Sequence, residues 1–181
     1  MSLHLYVGPM FAGKTHELMR QARRFVTMNM KVLIVNHSSD VRVEGGAIRS
    51  HDGQQVPATK VERLAEVSEA AIKEARLVCV DEGQFFPDLQ PTVLRWVNEF
   101  GKEVHVSGLD GDYRQQPIGD MLSLIPQCDT VTKLHALCVE CQDGTPAPFT
   151  CRHTAEGAEV YKVGAAETYK SLCRRHMLQR A

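Results

Sequence analysis

Residues 8–15 read GPMFAGKT, a pair of glycines with four residues between them, followed at once by lysine and threonine. That spacing suits an anion with several oxygens. Gly8 and Gly13 allow turns that a Cβ would obstruct, so that the N–H groups of Pro9's successors Met10, Phe11 and Ala12 can face inward on a phosphate chain. Lys14 would reach the β- and γ-phosphates, and Thr15 would offer a hydroxyl to Mg²⁺. A second chemical pair, Asp81-Glu82, follows the apolar run RLVCV. One carboxylate of such a pair can serve a metal while its neighbour takes a proton from an attacking hydroxyl, so Glu82 is the candidate general base. Four further residues, Cys138, Cys141, Cys173 and His176, form two pairs with the spacing of metal ligands and supply the donor set of a closed tetrahedral Zn²⁺ site. Spacing alone leaves two other readings open: Cys138-Val-Glu-Cys141 as a redox pair, and Cys151 with His153 as the second ligand pair.

These groups need a scaffold. Strand-sized apolar runs lie at 3–7, 31–35, 76–80 and 103–107, and helical spacing occupies about 15–29, 61–75 and 89–100. Strand and helix alternate, which predicts an α/β fold with a mostly parallel sheet flanked by helices and the ligand at the carboxyl edge of its strands. Both chemical motifs fall immediately after such strands, and the loop motif opens a helix whose positive end favours phosphate. Residues 37–58 form a long polar connection that breaks the rhythm, a length usually reserved for function. From residue 137 the pattern turns to Cys/His pairs and short apolar pieces. The expected division is therefore a nucleotide-binding domain over 1–136 and a metal-stapled lobe over 137–181.

Composition narrows the partners. The 181 residues carry a formal net charge of −1, which gives no strong positive field for nucleic acid, and no apolar run is long enough to cross a membrane. The start MSLHLYV has no signal-peptide pattern, so a cytoplasmic location is expected. The six cysteines are then expected to be ligands or core residues rather than disulfides. A P-loop ATPase with a zinc ribbon that acts on nucleic acid shares these motifs and stays open as an alternative on spacing alone.

GPMFAGKTHELMR, VDEGQFF, GLDGDYRQQPIG and the two closing metal-type pairs, in this order from residue 3 to about 176, resemble the type II thymidine kinases. The resemblance implies a RecA-like P-loop core, a small zinc-bearing lobe with a lasso loop over residues 149–170, and transfer of the γ-phosphoryl group of ATP to the 5′-hydroxyl of thymidine, with deoxyuridine as a possible second acceptor. It assigns Gly8, Pro9, Met10, Phe11, Ala12, Gly13, Lys14 and Thr15 to the phosphate loop, with Arg42, Asp81 and Gln84 also on the ATP side. Thr15, Asp40 and Asp81 fall on the magnesium side, and Glu82 on the catalytic base. Met10, Phe85, Leu109, Tyr113, Ile118, Val163, Gly164 and Tyr169 fall on the nucleoside pocket. The zinc ligands it implies are Cys138, Cys141, Cys173 and His176. Feedback inhibition by dTTP and a homotetramer are implied likewise. The chain departs from the family pattern at Ala12, Ile118 and Ala165. Because the metal closes the loop that carries the lid, its loss is expected to loosen the thymidine side and leave the phosphate loop untouched.

Overall fold

Alternating apolar residues in each short run let one strand serve two layers at once. In β1 (Ser2–Gly8), Leu3, Leu5 and Val7 enter one core while Tyr6 enters the other. The computed structural model describes residues 1–40, 47–49, 55–152 and 168–179, with 47–49 and residue 55 described by backbone alone. After β1 come α1 (Lys14–Thr27), β2 (Val32–His37), the small hairpin β3 (Ala47–Arg49) and β4 (Gln55–Pro57), and β5 (Thr59–Val61). Then follow α2 (Glu69–Glu74), β6 (Leu77–Val80), α3 (Leu89–Asn98), β7 (Glu103–Leu109) and β8 (Thr130–Lys133). The main sheet has the order β5-β2-β6-β7-β1-β8, and every pairing in it is parallel.

One face of this sheet packs on α3 through Leu89, Val93, Trp96 and Val97. The other receives Leu18, Met19 and Ala22 of α1, together with Ile34, Leu77 and Cys79. Burial raises the Cys79 thiol far above its ordinary range, so this cysteine is core, as its place in an apolar run implies. At the amino-terminal edge His105 is buried between Tyr6, 3.2 Å from its Nδ1, and Glu103, 3.3 Å from its Nε2. Burial first, then the neighbouring His4, brings its pKa down to about 4.

The expected helix over 61–75 is a correction. The chain there finishes β5, makes one 3-10 turn at Leu64–Glu66, and becomes helical only at Glu69. Its apolar residues do recur at helical spacing, but the Asp88 carboxylate accepts the N–H groups of Leu64 and Ala65 at 3.0 and 2.9 Å. A distant acceptor thus satisfies a turn that local pattern reads as continuous helix. The edge strand β8 was also not expected; its β-branched TVT run was the available signal.

Five elements at the carboxyl-terminal side form the appendage: β9 (Ala136–Leu137) with β10 (Pro146–Ala147), β11 (Phe149–Arg152) with β12 (Tyr169–Leu172), both antiparallel, and α4 (Arg174–Leu178). Ala136, Cys138, Ala147, Cys151, Leu172 and Cys173 make its core, and Phe11 and Ala12 of the first loop pack against it. The lobe is therefore built onto the loop at residues 8–15.

Candidate active site

Parallel pairing fixes the site, because the strand ends that carry chemistry emerge on one edge. Gly8 of β1 is in register with Leu109 of β7, and Val106 of β7 with Val80 of β6. The loop after β1 and the acidic pair after β6 are thus separated by a single strand, about 10 Å across the sheet.

Gly8 must be glycine: a Cβ there would lie 2.3 Å from the Leu134 carbonyl oxygen, at φ 150°. The loop then turns through two left-handed residues, Phe11 at φ 64° and Gly13 at φ 79°, before α1 begins at Lys14. Alternating backbone handedness of this kind directs N–H groups into a shared concavity. The Lys14 ammonium folds back over the loop and donates to the Pro9 carbonyl at 2.6 Å.

Asp81 is buried at the end of β6, and its N–H donates to Val35 at 2.9 Å. Its carboxylate accepts from the Thr15 hydroxyl at 2.9 Å and from the Ser107 hydroxyl. This contact joins the two motifs. No local pattern marks Ser107: it sits in the apolar alternation of β7, and only the strand register places it beside Asp81. Glu82 occupies the left-handed region at φ 53°, a cost of about 1–2 kcal/mol for a residue with a Cβ. The turn points its chain onward to Gln84, whose side-chain amide donates to Glu82 Oε2 at 2.7 Å and accepts the Leu109 N–H at 2.9 Å. Gln84 is itself buried, and Gly119, at φ 52°, approaches it so closely that a Cβ would sit 2.3 Å from its carbonyl oxygen.

Phe85 faces an open cavity of about 710 Å³ whose lining includes His37, Ser38, Glu62 and Arg63, at the carboxyl ends of β2 and β5. Asp40 is buried, with its carboxylate accepting from the Asn36 amide at 2.8 Å. Ile118 is buried, Tyr113 lies under the Arg114 and Arg152 guanidinium groups at 5.1 and 5.6 Å, and Tyr169 is buried on β12. Arg42, Val163 and Gly164 lie outside the described residues, as do His153, Ala165 and the middle of the expected lasso loop.

The Cys138, Cys141 and Cys173 sulfurs each lie 3.4 Å from His176 Nδ1, and the Cys141 and Cys173 sulfurs are 3.8 Å apart. A tetrahedral ion with metal–sulfur and metal–nitrogen bonds of zinc's length demands edges of about 3.5–3.8 Å. The donors fit. Burial alone would raise the Cys138 thiol, but the N–H groups around it and the His176 ring bring it down to about 6, ready to ligate as thiolate. Cys151 is a core residue of the lobe and does not join the cluster.

With this geometry, the sequence matches the thymidine kinase family model over residues 1–177. The chain belongs to the thymidine kinase family. It is 37% identical over 173 residues to the thymidine kinase of myxoma virus, covering 96% of this chain and 94% of the relative. The monkeypox virus thymidine kinase is 38% identical over the same shares. The chicken cytosolic thymidine kinase is 37% identical over 172 residues, which cover 95% of this chain and 75% of the relative. The family agrees with the resemblance read from the motifs, and the parallel sheet flanked by helices with the α/β class expected from the alternation of strand and helix. No described helix is long and apolar enough to cross a membrane.

Proposed function

We propose that this chain phosphorylates thymidine at the 5′-hydroxyl with the γ-phosphate of ATP, the reading that the Thr15–Asp81 contact beside Glu82 carries. The loop of residues 8–15 holds the phosphates through backbone N–H groups, and Lys14 turns from Pro9 to the β/γ-phosphates as charge shifts onto them. Thr15 and Asp81, with the buried Asp40 that follows β2, would hold Mg²⁺, which neutralises phosphate charge when bound. Glu82 takes the proton of the attacking hydroxyl, and Gln84 holds that carboxylate in place. Phe85, Met10, Leu109, Tyr113, Ile118 and Tyr169 wall the nucleoside, joined by Val163 and Gly164; Arg42 serves the phosphates.

Zn²⁺ in the Cys138-Cys141-Cys173-His176 cluster is structural: four protein donors leave no open position for chemistry. Residues 1–136 then act as the nucleotide-binding unit and 137–181 as the substrate-covering lobe. Regulation by dTTP and a homotetramer extend the family likeness, and dTTP titration and sedimentation test them.

The deciding assay measures ADP formation from ATP with thymidine, with single-stranded DNA, and with neither. Turnover that requires thymidine supports the reading. Stimulation by DNA alone would replace it with a nucleic-acid-dependent ATPase.

A further inference from the structure

Thr150 and Ser171 are register partners across the antiparallel pair β11–β12, so their side chains share one face. Both are buried. Their hydroxyls close on one residue of the phosphate loop from both sides: Thr150 Oγ1 accepts the Met10 N–H at 2.9 Å, and Ser171 Oγ donates to the Met10 carbonyl at 2.9 Å. Met10 lies between Gly8 and the left-handed Phe11, where the loop reverses. The same two strands reach the metal cluster. Ser171 is two residues from Cys173, and its carbonyl accepts the N–H of Val139, which stands between Cys138 and Cys141, at 3.2 Å. Phe11 and Ala12 complete the contact by packing on the lobe's core.

We propose that Thr150 and Ser171 are positioning residues for phosphoryl transfer, gripping the Met10 backbone so that the Cys138-Cys141-Cys173-His176 centre sets the shape of the phosphate loop. The proposal rests on the kinase reading above. It predicts the opposite of the expectation that metal loss spares the phosphate site: the path from cluster to loop is a short run of hydrogen bonds, and removing the metal would release the strand pair that holds Met10. A loop that must turn through two left-handed residues has other conformations available, and fixing one peptide from both its N–H and C=O narrows them before ATP arrives.

ATP affinity, measured by equilibrium binding without any nucleoside, tests this independently of thymidine turnover. If the parent binds ATP but does not phosphorylate thymidine, the function above fails and this test still stands. Ser171→Ala and Thr150→Val should each keep one zinc per chain and weaken ATP binding about tenfold, the worth of a single buried hydrogen bond. Thr150→Ser, which keeps the acceptor oxygen, should bind within twofold of the parent. Chelating zinc from the parent should weaken ATP binding at least as much as either variant. Should Ser171→Ala lose its zinc, Thr150→Val decides, since its side chain lies on the other strand. ATP affinity within twofold of the parent in zinc-replete Thr150→Val, or equal weakening in Thr150→Ser, overturns the proposal.

Discussion

Gln84→Met removes two hydrogen bonds at once and nearly preserves volume, which makes it the sharpest probe of how Glu82 is held. In the parent the Gln84 amide donates to Glu82 Oε2 at 2.7 Å and accepts from the Leu109 N–H at 2.9 Å. Loss of the first releases a carboxylate from a charge-assisted bond worth about 1.5–3 kcal/mol. If that bond acts mainly by orienting Glu82 toward the hydroxyl, kcat should fall by roughly 10- to 150-fold. Loss of the second leaves the Leu109 N–H without its acceptor, at a stability cost of about 1–3 kcal/mol. Steady-state kinetics at saturating ATP and thymidine, beside urea unfolding of the same protein, separate the two effects. A variant that loses stability but keeps kcat within threefold would refute the orienting role and leave Gln84 as scaffolding alone.

Glu82→Gln keeps the side chain's shape and removes the proton acceptor, so turnover should drop about 10²- to 10⁴-fold with both substrates still binding; a loss under tenfold would assign the base elsewhere. Lys14→Ala should lower kcat at saturating ATP as well as raise KM, because its charge matters most as the phosphoryl group moves. Cys173→Ser and Cys141→Ser should lose zinc and weaken both thymidine and ATP binding, while Cys151→Ser retains one zinc per chain on metal analysis. Acid should destabilise the fold between about pH 6.5 and about 4: the unfolded chain protonates His105 near 6.5 whereas burial holds the folded imidazole neutral down to about 4. In His105→Gln that part of the pH dependence of urea unfolding should vanish.

Much of the candidate site was legible because its chemistry is local. The strand-turn-helix around Gly8 and Lys14, the acids after β6 and the Cys/His spacing each carry their reason within a few residues, and parallel strands bring successive carboxyl ends to one edge without further information. The ligand choice between Cys173-His176 and Cys151-His153 was not legible, since spacing allows either. Among the described residues, the packed strands bring His176 Nδ1 within 3.4 Å of three sulfurs and leave Cys151 out of that cluster.

Residue types at each strand end and their alternation were enough for the α/β class, the glycine-bracketed loop at residues 8–15 and the acidic pair at 81–82. Tertiary structure alone decided what lies between distant segments. Asp88 caps a turn more than twenty residues away and stops a helix that its local pattern favours. Ser107 meets Asp81 through the pairing of β6 with β7, and Thr150 and Ser171 meet Met10 across about 140 and 160 residues of chain. A hydroxyl has no periodicity and few local preferences; its partner is whatever the packed strands bring within hydrogen-bond reach.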